Sequence, residues 1–328
     1  MIRLITPAQG ETVRLLMDEH LAYIAKPEGF PTDRVDWLNL HEEQNDLSYP
    51  RPVHFSYEPA VDGEVLIWEK GREERLCVKA VRGEADVPNF LIDTDYEWCV
   101  KIGEEISEIR TFHTDPQAPR MLLVDGISNV RDFGGFSTTD GKRIRQGLLY
   151  RTSEMDTHYE ITPEGKETFY NMGIRTDLDI RGVKDEYRAP QLDTERVRWV
   201  NIALAAYGHI YTEEQMQRYR ETYDVLLDPQ NYPIICHCWG GIDRTGCWLY
   251  ILGAMLGVSE DDLGLDYELS SFSRWHRRSR HSEQFGEFLS GLHAYGENIQ
   301  DGAIGFLKAC GVTEEEMDQL REIFLEEI

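Results

Sequence analysis

The chain has 328 residues, 60 of them Asp or Glu and 34 Lys or Arg, for a formal net charge of −26. Like-charge repulsion makes this a poor surface for a nucleic-acid backbone or an anionic membrane. With 41% apolar and 11% aromatic residues it can build cores, and its length predicts about two domains. The six cysteines show neither a disulfide framework nor a paired zinc pattern. The N-terminus Met-Ile-Arg-Leu-Ile-Thr-Pro lacks the charged-then-apolar order of a signal peptide, and the apolar stretch 248–258 is too short to span a bilayer. A reducing, cytoplasmic setting is expected.

In chain order, Glu11 to Ala25 reads as a helix with Val13, Leu15, Leu16, Tyr23 and Ile24 apolar among charges. Short β-type runs follow between turn residues: 53–57, 63–68, 75–80, 96–101 and 108–112. Alternation puts Tyr96, Trp98 and Val100 on one face of a strand, toward a core. These runs predict a small antiparallel β-sandwich within residues 1–117, ending at the proline-interrupted stretch 114–119. From 118 to 328 the pattern alternates. Strands are expected at 122–124, 148–150, 176–180, 199–202 and 234–236, and helices at 163–172, 213–227, 245–256 and 314–327. This predicts an α/β domain with a mostly parallel sheet.

One segment carries chemistry. The apolar strand Ile234-Ile235-Cys236-His237 runs into Cys238-Trp239-Gly240-Gly241-Ile242-Asp243-Arg244-Thr245-Gly246, and an apolar helix begins near Thr245. Glycines allow backbone N–H groups to form an anion nest, and the helix adds its positive N-terminal end. Arg244 can hold a phosphate through a planar two-point contact. The same features stabilise a thiolate, which makes Cys238 a candidate nucleophile with Trp239 to Arg244 as the phosphate-binding loop.

His237-Cys238-x-x-Gly241-x-Asp243-Arg244-Thr245-Gly246 resembles the C-x₅-R signature loop of the cysteine-dependent protein tyrosine phosphatases. Asn129-Val130-Arg131-Asp132-Phe133-Gly134-Gly135 and Arg145-x-Gly147-x-Leu149-Tyr150-Arg151-Thr152-Ser153 resemble N-F-R-D-L-G-G and R-x-G-x-L-Y-R-S of the bacterial atypical, dual- or triple-specificity group. Thr176 to Arg181 resembles that group's D-L-R strand end, and Asp266-Tyr267-x-Leu269-Ser270 its D-Y-L-L-S segment. The resemblance covers 121–328. It implies a phosphocysteine mechanism without metal or cofactor, in which Cys238 attacks, Arg244 binds the phosphoryl group and Thr245 assists the departing thiolate. Asp243 and Asp179 are the implied general acids, Asp243 slightly ahead because it sits in the loop. Asn129, Arg131, Asp132, Arg151 and Arg181 are substrate-pocket candidates, with a structural turn around Gly134 and Gly135 the equal alternative for the first three and carboxylate pairing an alternative for Arg131 and Arg151. In the N-terminal half, Phe90 to Val100 with Thr111 to Thr114 resembles the late strands of a fibronectin type III or immunoglobulin-like domain, with Tyr96 as corner tyrosine and Trp68 as core tryptophan.

The expected substrate is a phosphorylated protein or small phosphomonoester, phosphotyrosine first, with phosphoserine or phosphothreonine also open. A phosphoinositide or inositol phosphate is the alternative, set back because Ile242 stands where related loops carry lysine. A catalytically idle phospho-binding or scaffold protein is the other alternative. No nucleic acid or stable membrane partner is expected. The basic run 274–281 reads first as ion pairs or a solvated face, and second as a lip for substrate anions. Cys236 reads first as a packed thiol and second as a protective disulfide partner after oxidation, and Cys247 as a packed thiol.

Overall fold

The computed structural model describes residues 1–25, 46–182, 189–274 and 278–328. The chain forms two compact units, residues 1–21 with 50–123 and residues 22–49 with 124–328.

In the first unit, β1 (Arg3–Thr6), β3 (Val53–Glu58) and β6 (Glu84–Val87) form one sheet, ordered β1-β3-β6. A second sheet runs β2-β9-β7-β4-β5 (Glu11–Val13, Arg110–Thr114, Asp95–Ile102, Gly63–Glu69 and Leu76–Ala80), with β8 (Glu105–Ile106) on β7. Phe55 of the first sheet meets Trp98 edge-on at 5.0 Å and Phe112 at 5.7 Å from the second. This aromatic cluster, joined by Phe90 and Tyr96, is the sandwich core. Tyr96, Trp98 and Val100 are all buried, as the alternation predicts.

Three expectations are corrected here. Glu11 to Ala25 is not one helix. Glu11–Val13 pairs with β9 as a strand, and the helix is only Asp18–Ile24, because sheet pairing outweighs the weak helical pattern. Trp68 is buried, at 6% exposure, but the tryptophan between the two sheets is Trp98. In the β4–β7 register Trp68 lies opposite Glu97, on the other face from Ile67 and Trp98, where it bonds Glu97 and stacks under Arg75. Residues 122–124 form no strand. The Asn89 amide takes both the N–H and the C=O of Leu123, which removes that residue from any ladder.

The second unit is built on a five-stranded sheet ordered β10-β12-β15-β13-β14: Arg131–Asp132, Leu149–Thr152, Ile234–His237, Thr176–Asp179 and Arg198–Asn201. The last four are mutually parallel, and β10 runs antiparallel to β12. Helices Pro163–Asn171 and Glu213–Leu227 lie near their predicted bounds. The helix Asp243–Leu256 leaves the end of β15 and is buried from Thr245 onward. It packs against the helices Glu260–Leu269, Ile299–Ala309 and Glu314–Phe324. That last helix stops short of the predicted Glu327. Leu325–Glu327 turns into strand β16 and pairs with β11 (Lys142–Ile144), where Arg143 meets Glu326 at 2.9 Å. Strand pairing and cross-strand charge outweigh helical propensity there. β15 is central and its four residues are buried, so its carboxyl end opens onto the crevice where parallel sheets place ligands.

Candidate active site

Cys238 follows β15 directly, is 2% exposed, and sits below the N-terminus of the helix that starts at Asp243. Burial pushes its thiol up. The positive charge of Arg244 and hydrogen bonds from the Thr245 hydroxyl and N–H together outweigh burial and hold it below the ordinary thiol value. The Thr245 hydroxyl is itself fully buried beside the thiol, where it has no other partner among the described residues. Cys236 and Cys247 differ. Burial pushes both well up, so they stay neutral packing thiols.

The shape of the loop follows from what grips its carbonyls. Trp239 C=O accepts from Glu154 N–H at 2.7 Å. Gly240 C=O accepts from Asn129 Nδ2 at 2.9 Å, and Gly241 C=O from Asn129 Nδ2 at 3.2 Å and Arg151 Nη2 at 2.6 Å. In a trans peptide the C=O and the following N–H point in opposite directions. The N–H groups of Gly240, Gly241 and Ile242 therefore turn away from these donors, the arrangement of an anion nest at a helix N-terminus. Gly241 is obligatory here. Its φ is +64°, and a Cβ would lie 2.1 Å from Thr152 O. Ile242 is packed at 2% exposure, whereas Trp239 is 42% exposed at the rim, with its ring 4.6 Å from that of His158.

The five residues expected to line a substrate pocket do not. Asn129, Arg131, Asp132, Arg151 and Arg181 are between 0% and 1% exposed. Asn129 and Arg151 hold the loop from behind, and Arg131 pairs with Asp266 at 3.0 Å. Asp132 accepts the N–H groups of Gly134 and Gly147. Arg181 binds Asp156, Asp179 and Glu154. Their side chains are taken up by internal partners, which makes them scaffold, as the cost of burying a charge demands.

The two acid candidates also separate. Asp179 is fully buried, with both carboxylate oxygens on Arg181. Burial raises its pKa, but His237 and Arg181 outweigh this and hold it below the ordinary carboxylate value. Asp243, whose side chain is 33% exposed, is the accessible one. It accepts from Arg278 Nε at 2.6 Å, from Arg278 Nη2 at 3.1 Å and from the Tyr207 hydroxyl. Tyr207 carries no spacing signal that would have marked it, whereas Arg278 belongs to the basic run 274–281 and meets its ion-pair reading. Tyr207 lies between β14 and the next helix, with its backbone in the left-handed region at φ 56°. In the basic run, Arg280 pairs with Asp261 and Glu268, and Arg274 lies over the Tyr159 ring. Arg277 lies outside the described residues. Among the described residues, no group of three or more His, Cys, Asp or Glu could hold a metal ion.

His237 lies beneath the loop, 3.0 Å from Asp177, and its Nδ1 is 3.2 Å from Cys238 O. Burial lowers its pKa, but Asp177 and Asp179 more than reverse this and raise it to about 9. Its charge therefore stabilises the fold fully below about 6.5, and that stabilisation is lost as pH rises through about 9. Replacing His237 by Gln should lower stability at pH 7 and flatten its decline over that window. Denaturant midpoints across the range measure this, and parallel curves for the two proteins would contradict it.

A family model described as the tyrosine phosphatase family matches residues 122–326. A Cupriavidus necator protein bearing a tyrosine-protein phosphatase name is 28% identical over 185 residues, 46% of this chain and 66% of that protein. The chain thus spans just under two thirds of that relative. A Nostoc commune tyrosine-protein phosphatase is 22% identical over 227 residues, 54% of this chain and 74% of the relative. Among solved structures, Pseudomonas aeruginosa TpbA in complex with phosphotyrosine aligns at TM-score 0.31 and 13% identity, over 53% of this chain and 91% of its own. The core catalytic domain of a Saccharomyces cerevisiae PP-IP phosphatase with citrate aligns at 0.30 and 19%, over 38% and 72%. The family match spans the whole sheet that carries Cys238 and the loop that grips it, and by that match the chain belongs to the tyrosine phosphatase family.

Proposed function

We propose that the chain is a cysteine-dependent phosphatase that hydrolyses phosphomonoesters through a phosphocysteine intermediate, with phosphotyrosine-type aryl phosphates as the first substrate class. The observation that carries this is the Cys238 thiol, held below its ordinary value beside three consecutive N–H groups turned away from the scaffold. In the first step the Cys238 thiolate forms an S–P bond as the ester P–O bond breaks. The loop N–H groups and Arg244 balance charge on the phosphoryl oxygens, and a carboxylic acid protonates the leaving oxygen. In the second step water forms a new P–O bond and the S–P bond breaks. In this reading the Thr245 hydroxyl, buried next to the thiol, stabilises the released thiolate.

Asp243 is the acid that access favours, since Asp179 is closed off by Arg181. Replacing Asp243 by Asn should slow phenyl phosphate by roughly 10²-fold or more and p-nitrophenyl phosphate far less, because a good leaving group needs little protonation. Steady-state kcat on both substrates is the measurement, and equal losses would assign Asp243 a purely structural role. The preference for aryl phosphates over phosphoinositides is supported by the net charge of −26 and by Ile242, a packed apolar side chain where related loops have lysine. Phosphate release from phosphotyrosine peptides, phosphoserine peptides and inositol phosphates, run in parallel with acid-quench trapping of phosphocysteine, tests the proposal. Binding without turnover on every substrate would favour the idle phospho-binding alternative.

A further inference from the structure

A general acid must carry its proton, and Arg278 opposes that. Its Nε and Nη2 take opposite oxygens of Asp243, at 2.6 and 3.1 Å. A guanidinium has donors only, so it can meet the carboxylate but offers nothing to the carboxylic acid. Tyr207 is different. Its hydroxyl lies 2.6 Å from that of Tyr267, and a hydroxyl can donate to the carboxylate or accept from the acid by turning its own proton to that neighbour. The seat of Asp243 thus accommodates both protonation states on the tyrosine side and only the charged state on the arginine side. Arg278 is itself partly exposed, 30% at its side chain, beside the loop that receives the substrate.

We infer that Arg278 is the residue that selects phosphomonoesters bearing a second anionic group near the scissile phosphate, by exchanging Asp243 for that group. This rests on the phosphatase reading above. The exchange makes no covalent bond. The second anion takes the two guanidinium donors, and Asp243 takes a proton from solvent and passes it to the leaving oxygen. Among the described residues, the charged and titratable groups around Asp243 are Arg278, Arg244, Tyr207, Tyr267, Cys238 and Cys247. Of these only Arg278 is a cation not already needed for the transferring phosphoryl group. Its backbone is anchored separately, since its N–H donates to Ser271 Oγ at 2.8 Å and its C=O accepts from the same hydroxyl at 3.1 Å, so the side chain can change partner without unseating the segment.

The test compares kcat/KM at fixed ionic strength on phenyl phosphate and 3-carboxyphenyl phosphate, and on an inositol monophosphate and an inositol bisphosphate. The two pairs separate a carboxylate from a phosphate as the second anion. The wild type should favour the second-anion member of at least one pair by roughly tenfold or more, within the range a positioned acid supplies. Arg278→Gln should abolish that preference. It should also raise phenyl phosphate turnover and move the basic limb of its pH profile upward, because a carboxylate without its cation binds a proton more readily. In the Arg278→Gln, Asp243→Asn double variant this gain should vanish. If Gln weakens the fold, Arg278→Lys should still cut the preference severalfold, since an ammonium cannot make the two-point contact. An unchanged preference in either variant, or an unmoved limb, overturns the assignment of Arg278. Failure of the wild type to turn over p-nitrophenyl phosphate, whose leaving group needs no acid, would instead overturn the phosphatase reading and this inference with it.

Discussion

Turnover by Cys238→Ser should fall by roughly 10⁴-fold or more, while phosphate or tungstate binding persists. The substitution changes one atom at a site 2% exposed, so neither packing nor the loop backbone is disturbed. Serine is the poorer nucleophile because its hydroxyl ionises far less readily than a thiol, and the Cys238 thiol is held below its ordinary value by Arg244 and Thr245. Binding should be equal to the wild type or tighter. The anion is held by loop N–H groups and Arg244, and the variant removes a thiolate charge that repels phosphate. Isothermal titration with tungstate and a single-turnover assay on an aryl phosphate separate the two effects. Residual turnover within about tenfold of wild type would end the covalent mechanism. Lost anion binding would show that the sulfur, not the backbone, shapes the nest.

The nucleophile was legible because its chemistry is local. A strand, two glycines, an arginine six residues after the cysteine and a helix start are contiguous in sequence, and an anion nest needs that contiguity. The strands around it were legible from apolar runs, and β15 and β13 begin at the residues where the pattern put them. What sequence could not show is which polar residues face the substrate and which face the scaffold. Arg131, Arg151 and Arg181 are substrate-pocket candidates by resemblance, with carboxylate pairing the alternative for the first two. In the fold each is held by carboxylates or carbonyls brought from other segments. Their strand settings held a clue: β12 and β10 are buried at every position, and an arginine within such a strand needs internal partners. Tyr207 carried no comparable clue, and Arg278 was marked only as a member of the basic run 274–281, without its partner. They reach Asp243 from 36 and 35 residues away, and only the fold joins them. The strand β16 was missed for the same reason, since its partner lies 183 residues upstream at Arg143.

The largest loss of stability should come from Asp266→Asn, though Asp266 touches no substrate. Its carboxylate lies between two arginines, with Arg131 Nε at 3.0 Å on one oxygen and Arg151 Nη1 on the other. The three side chains are 0%, 1% and 8% exposed, and Ser270 Oγ accepts from both guanidinium groups at 3.1 and 3.2 Å. Burial already pulls Arg131 down to about 10, against the attraction of Asp266, and Arg151 adds repulsion. Removing the carboxylate charge would leave two buried cations facing each other, and breaking a buried pair in this way costs about 3–5 kcal/mol. The effect should depend on pH. Burial raises the Asp266 pKa, but Arg151 and Arg131 outweigh it and hold the group below its ordinary 3.8. Its stabilisation is therefore complete above 3.8 and lost as pH falls through the native value. The gap between wild type and Asp266→Asn should be widest at neutral pH and should narrow in acid, as the wild type loses the same charge. A functional consequence follows through Arg151, whose other donor holds Gly241 C=O at 2.6 Å. With Arg151 displaced, that peptide is free to turn, and the Ile242 N–H loses its fixed direction. Phosphate affinity should then fall even at temperatures where the variant remains folded. Urea unfolding at neutral and acid pH, with tungstate titration of the folded variant, measures both. A variant within about 1 kcal/mol of wild type and unchanged in tungstate affinity would show that the arginines find other partners, and that the loop does not depend on this carboxylate.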